Sequence, residues 1–155
     1  MEGHGYESLP TFRECGESPV PQPRLAEKYP LYLTTRRSHE YALSRSSDYD
    51  WVRKITPDPQ LHLHPGTAEE RGIKDDDMVV IETPKGSIRH RAKLTEDIRP
   101  DVVNGVFGWW LPEKGTEENG YLETNVNSVM SYDPPYDPEI GINCVQGVMC
   151  QVRKL

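Results

Sequence analysis

Residues 78–94 read MVVIETPKGSIRHRAKL, and this stretch decides the fold class. Met78–Thr83 is a near-continuous apolar run, as a strand covered on both faces requires. Thr83-Pro84-Lys85-Gly86 places proline second and glycine fourth, the chemistry of a tight turn. From Gly86 to Leu94 the chain alternates. Ile88, His90, Ala92 and Leu94 share one face; Ser87, Arg89, Arg91 and Lys93 share the other. The pattern predicts a β-hairpin over 78–94.

Further strands are predicted at Tyr29–Thr34, Gln60–His64, Val102–Phe107 and Val145–Val152. Helices are few and short. Thr67-Ala-Glu-Glu70 has the form of a capping box, with Gly72 as the helix stop. A second short helix is predicted from Ser47, as its cap, to Lys54. Short strands with two small helices predict a mainly β domain closed into a barrel, since an open sheet leaves its edges exposed. Residues 1–28, with Pro10, Pro19, Pro21 and Pro23, read as a linker or extended arm, and 29–155 as the folded domain.

The chain has 155 residues, enough for one core. Its net charge of −7 argues against a nucleic-acid or anionic-membrane surface, so an anionic ligand must be held by local basic groups. No 18-residue apolar run is present, so no direct membrane span is expected, and the first residues lack the pattern of a signal peptide. The hydrophobic content of 35% suits a domain with many loops, or one that buries surface against neighbours. Three cysteines, Cys15, Cys144 and Cys150, make no disulfide framework and fall short of an all-cysteine iron–sulfur site. Cys144 and Cys150 are expected to be packed, reduced side chains.

Three segments carry candidate chemistry. Thr34-Thr35-Arg36-Arg37 ends a strand with hydroxyls and two guanidinium forks that can grip phosphate; a solvated surface pair is the plainer alternative. Gly108-Trp109-Trp110 follows a strand, and two adjacent indoles cannot enter one core, so one packs inward while the other is free for a neighbour or a flat ring. Asn125-Val126-Asn127 sets two amides on one side of an extended segment, matching the donor–acceptor edge of a pterin or purine, or else forms turns. His62 and His64 lack a third metal ligand, Lys74-Asp75-Asp76-Asp77 reads as a solvated turn, and Asp133 to Pro138 reads as a stiff loop without a catalytic partner. No catalytic residue and no metal ligand is assigned.

In order and spacing these segments resemble the C-terminal molybdopterin dinucleotide-binding domain of the dimethyl sulfoxide reductase family of molybdenum and tungsten oxidoreductases. The likeness runs from about Tyr29 to Lys154. It includes His64-Pro65-Gly66-Thr67-Ala68, Arg71-Gly72-Ile73, Ile98-Arg99-Pro100, Val102-Val103, Asp137-Pro138, Gly141 and Gln146-Gly147-Val148-Met149-Cys150. Thr35 stands where the family pattern has glycine; Leu43 and Phe107 stand where relatives often carry histidine.

The resemblance implies a six-stranded double-psi β-barrel with a few short helices. It implies molybdopterin guanine dinucleotide as cofactor, in the bis form, with molybdenum or tungsten ligated outside this chain. Thr34, Thr35, Arg36 and Arg37 would touch the pterin or its phosphates, Tyr41 and Ser44 would continue that loop, Gly108 and Trp109 would border the pterin, and Asn125 and Asn127 would hydrogen-bond it. The implied partners are the remaining domains of a parent oxidoreductase and an iron–sulfur electron-transfer subunit. No turnover is expected of the chain alone. A stand-alone partner-binding barrel and a small subunit of such an enzyme are the competing readings, and cytoplasm and periplasm stay equally open.

Overall fold

The computed structural model describes residues 9, 12, 14–115, 117–132, 136–137, 141–143 and 146–155. Cys144, Val145 and most of the Asp133–Pro138 loop lie outside them, and the expectations placed there stay with the sequence. Six strands close a barrel: β1 (Leu31–Arg36), β2 (Gln60–Leu63), β3 (Met78–Thr83), β4 (Gly86–Leu94), β5 (Val102–Val106) and β6 (Val148–Lys154). Around the barrel they run β1-β5-β2-β4-β3-β6. The pairs β1·β5 and β2·β4 are parallel; the other four are antiparallel. This is the six-stranded double-psi barrel, and closure leaves no unpaired edge.

The 78–94 hairpin has the expected bounds and register, with Thr83 opposite Gly86 and Val79 opposite His90. Its turn is pinned from outside: Thr83 Oγ1 donates to Val129 O at 2.7 Å and accepts from Lys85 N at 3.1 Å. The inward rows of Leu31, Leu33, Leu61, Leu63, Ile81, Ile88, Val103 and Val152 fill the barrel. Each such side chain contributes about 1.5–3 kcal/mol by leaving water. Val126, Val129 and Met130 join the same core. They come from the segment formed by α4 (Tyr121–Thr124) and the 3-10 turn Val126–Val129.

Two helices differ from expectation. α3 runs Pro65–Glu69 and is capped by His64, whose Nδ1 accepts from Gly66 N at 3.1 Å, so Thr67 is not a cap. Proline presets the first helical position, which starts the helix earlier. Buried Thr67 instead donates to Pro100 O at 2.6 Å. The stop is as expected: Gly72 has φ +63, with Gly72 N bonded to Glu69 O and Ile73 N to Ala68 O. α2 runs Asp50–Ile55 with Tyr49 at its cap and no side-chain cap bond. Ser47, the expected cap, is buried, because a turn closing Tyr49 N on Ser46 O comes between it and the helix. Within the expected arm, Pro23–Lys28 forms a short helix, α1.

The 74–77 run is the solvated turn expected of it. Asp75 accepts from Leu94 N and Asp77 from Lys74 N, both at 2.8 Å, and Lys154 Nζ lies 2.7 Å from Asp77. The Leu94 amide holds the Asp75 carboxyl below its ordinary range, and the Lys154 ammonium does the same for Asp77.

Cys150 is fully buried on β6, and burial pushes its thiol up to about 12. A thiolate is the reactive form. Native protein treated with a maleimide at pH 7.5 should therefore label the partly exposed Cys15 and spare Cys150 until unfolded. Peptide mapping that finds both labelled at one rate would contradict this packing.

Candidate functional site

Parallel pairing of β1 with β5 carries Arg36 and Val106 to one rim of the barrel, and both chains continue from there into the candidate segments. β6 is antiparallel to β1, so its approach meets the same rim. Gly147 N donates to Leu33 O at 3.0 Å, and Gln146 Nε2 donates to Thr35 Oγ1 at 3.2 Å. Along β1, Thr35 continues the inward row of Leu31 and Leu33, whereas Thr34 and Arg36 lie on the outer face. Thr34 Oγ1 donates to Val103 O at 3.3 Å.

Among the described residues no side chain hydrogen-bonds the guanidinium of Arg36 or Arg37. Arg36 is half-buried and Arg37 exposed. Arg36 acts by charge on its surroundings, helping to lower both Glu40 and His62. The main causes there are the Ser38 hydroxyl on Glu40 and partial burial of His62. Guanidinium groups with unspent donors on a chain of net charge −7 are local basic groups against an acidic overall field.

The loop after β1 folds back onto Gly108. This glycine has φ +75, and a Cβ built on it would stand 2.9 Å from Ser44 N and 3.0 Å from Leu43 C. Leu43 and Ser46 are themselves left-handed, at φ 60 and 71. Such strain persists only where packing over-determines it. Here Trp110 Nε1 donates to Ser44 O at 2.6 Å and ties the loop to the segment that follows β5.

The two indoles divide as expected. Trp109 is the inward one, 2% exposed, in a second core with Tyr41, Val52 and Val106 outside the barrel. Its ring packs on the Tyr41 ring, 4.6 Å away, and the Arg53 guanidinium lies over it at 5.4 Å. Tyr41 is buried too, its hydroxyl donating to Thr56 O at 2.8 Å, and burial raises its phenol. So the Tyr41 and Trp109 rings are both buried in this second core, and of the two indoles only that of Trp110 is partly exposed.

Asn125 and Asn127 do not lie on an extended segment. Asn125 caps the 3-10 turn, its Oδ1 accepting from Asn127 N at 3.0 Å, and its Nδ2 donates to Trp109 O at 3.0 Å. Asparagine takes this role because its short amide mimics the backbone. One N–H and one lone pair of Asn125 remain unspent. The Asn127 side-chain amide makes no hydrogen bond to any described residue.

The rim thus brings together Thr34, Thr35, Arg36, Arg37, Ser44, Gly108, the Trp109 backbone and Asn125. Sequence reasoning missed two residues. Arg53 shields the Trp109 ring and reaches Glu113 at 2.7 Å, a contact across the chain that no local pattern marks. Gln146 touches Thr35; its signal was the Gln-Gly pair that ends the loop before β6. A hollow of about 210 Å³ lies apart, between the arm and the 83–86 turn, and none of the candidate residues lines it. Among the described residues no group of three or more His, Cys, Asp or Glu side chains is placed to hold a metal.

Residues 31–149 match the model of the molydopterin dinucleotide binding domain. The dopamine dehydroxylase of Eggerthella lenta is 34% identical over 147 residues, covering 94% of this chain and 14% of that protein. The assimilatory nitrate reductase catalytic subunit of Bacillus subtilis is 39% identical over 97 residues, covering 60% of this chain and 13% of that protein. The solved structure of acetylene hydratase from Pelobacter acetylenicus superposes with a TM-score of 0.91 at 28% identity, over 99% of this chain and 22% of that one. The chain therefore spans under a quarter of the length of these relatives.

Proposed function

The chain belongs to the molydopterin dinucleotide-binding domain family, and on that premise we propose that the β1–β5 rim is its cofactor-holding surface. The observation that carries the reading is the pair of guanidinium groups at Arg36 and Arg37, whose donors are unspent beside half-buried Thr34 and Thr35. Arg36 and Arg37 grip phosphate oxygens. Thr34 and Thr35 and the Ser44 loop border the pterin, Gly108 and the Trp109 backbone form its wall, and Asn125, with Asn127, meets its polar edge. The donor set fits the group: charged forks for the anionic part, an indole for the flat part, and amides for a mixed donor–acceptor edge. When bound, the cofactor supplies the metal-centred redox or atom-transfer chemistry, and the protein supplies position and electrostatics.

The finer reading takes the nucleotide as guanine, two copies per metal, with molybdenum or tungsten ligated from another domain of a longer oxidoreductase. An iron–sulfur subunit would exchange its electrons. The native polypeptide should then run several-fold above 17.7 kDa on an immunoblot of source cells. A band near that mass would favour a separate subunit or partner-binding barrel. In the full-length enzyme, Arg36→Ala should lower guanine nucleotide and metal content about tenfold or more, by loss of a charge-assisted bidentate contact, without unfolding the domain. Released GMP and metal per polypeptide measure this, and unchanged content would refute the assignment.

A further inference from the structure

His90 is the one fully buried histidine among the described residues. It is 0% exposed, on β4 opposite Val79. An apolar side chain there would bring no polar atom to satisfy, whereas a buried polar group costs free energy unless its hydrogen bond is made. That bond runs to the backbone: His90 Nε2 lies 2.7 Å from Thr124 O. Thr124 ends α4, so its carbonyl is one of the helix-end acceptors that no backbone amide of the helix satisfies. A carbonyl can only accept, so Nε2 carries the proton. Burial pushes the imidazole down to about 4, against the opposing carbonyls of Thr124 and Gln60, so the ring is neutral at pH 7.

The barrel makes room for this ring. A Cβ added to Gly105 would stand 3.4 Å from His90 Cε1 and 2.9 Å from Val126 Cγ1. The imidazole and the residue after Asn125 thus share the space that glycine leaves. Asn125 is therefore held from three sides. Its N–H bonds Tyr121 O at 2.7 Å, its amide reaches Trp109 O, and the peptide before it is anchored through Thr124 O by His90.

We propose that His90 is a positioning residue for the cofactor rim, setting Asn125 through the Thr124 carbonyl from inside the barrel. The inference rests on the cofactor reading above for its purpose, while its geometry stands apart from any ligand. His90→Met removes the donor at similar volume, and His90→Gln puts an amide N–H back in reach. In the ¹⁵N-labelled 155-residue chain, His90→Met should shift the Asn125 side-chain amide resonances and speed exchange of the Asn125 backbone N–H about fivefold to tenfold. Protection of Ile81 and Val152 in the barrel should hold, and His90→Gln should restore Asn125. Imidazole nitrogen shifts of the native chain should report the Nε2–H tautomer, a measurement that does not depend on either variant folding. An Nδ1–H tautomer, an unmoved Asn125 in His90→Met, or a folded His90→Gln that fails to restore it would each overturn the proposal. None of these signals involves cofactor. If they hold while Asn125→Ala leaves the pterin content of the full-length enzyme unchanged, the cofactor reading of Asn125 is what fails.

Discussion

Gly108→Ala should lower the stability of the domain by on the order of 3 kcal/mol and its melting temperature by about 6–12 °C. Two costs combine. At φ +75 an added Cβ costs about 1–2 kcal/mol against the following carbonyl. The same atom would then sit 2.9 Å from Ser44 N and 3.0 Å from Leu43 C, which are backbone atoms with no rotamer to yield. The 41–46 loop must lift, and the Trp110 Nε1 bond to Ser44 O goes with it. Gly115→Ala provides the control, because Gly115 has φ +59 and nothing within 4 Å of its added Cβ. That variant should show only the backbone cost, about 1–2 kcal/mol. Urea unfolding compares the two. Tryptic cleavage after Arg45 should become faster in Gly108→Ala alone. If both variants lose the same stability, the close packing of this loop on Gly108 is not what holds it.

Between pH 7 and pH 4 the domain should lose ~3 kcal/mol through His90. Its imidazole takes up a proton below its ordinary 6.5 in the unfolded chain and only below about 4 in the fold. Between those values the unfolded state binds more protons. The stabilisation is thus complete above pH 6.5 and gone once the pH has fallen through 4. His62, lowered by burial, Arg36 and Lys93, adds a lesser contribution of the same sign. The carboxyls of Glu40, Asp75, Asp77 and Glu123 are also held down, so they stabilise above the ordinary carboxylate range and are lost only below it. The interval from pH 6.5 to about 4.5 therefore isolates the histidines. Melting temperatures at half-unit steps across it should fall steeply in the native chain and much less in His90→Met. Parallel slopes in the two proteins would mean that His90 is not held neutral by the core.

The two predictions meet at the candidate rim. Gly108 packs under the Leu43–Ser44 backbone, and His90 bonds the Thr124 carbonyl that precedes Asn125. Both are tested without a ligand.

What the sequence by itself determined is what short-range chemistry controls. The hairpin at 78–94 is set by period-two alternation and by a Thr-Pro-Lys-Gly turn, and the Gly72 stop by the one residue that adopts a left-handed backbone freely. The three candidate segments drew notice because their residue types, guanidinium, indole and amide, are the ones a phosphorylated heterocycle needs, and two of them stand at or just after the ends of strands β1 and β5. Tertiary structure decided the rest. Thr67 gave up its cap to His64 because Pro65 starts the helix earlier and Pro100 offers a buried acceptor. Asn125 became a cap between two helical turns because Asn127 N and Trp109 O, brought from two segments, satisfy its amide together. Trp109 rather than Trp110 turned inward because Tyr41 and Arg53, distant in sequence, enclose its ring. Alternation along β4 could place His90 in the barrel but could not name the Thr124 carbonyl it would find there. Periodicity and propensity act over a few residues, whereas burial and hydrogen-bond satisfaction are settled only when strands far apart in the chain close on one another.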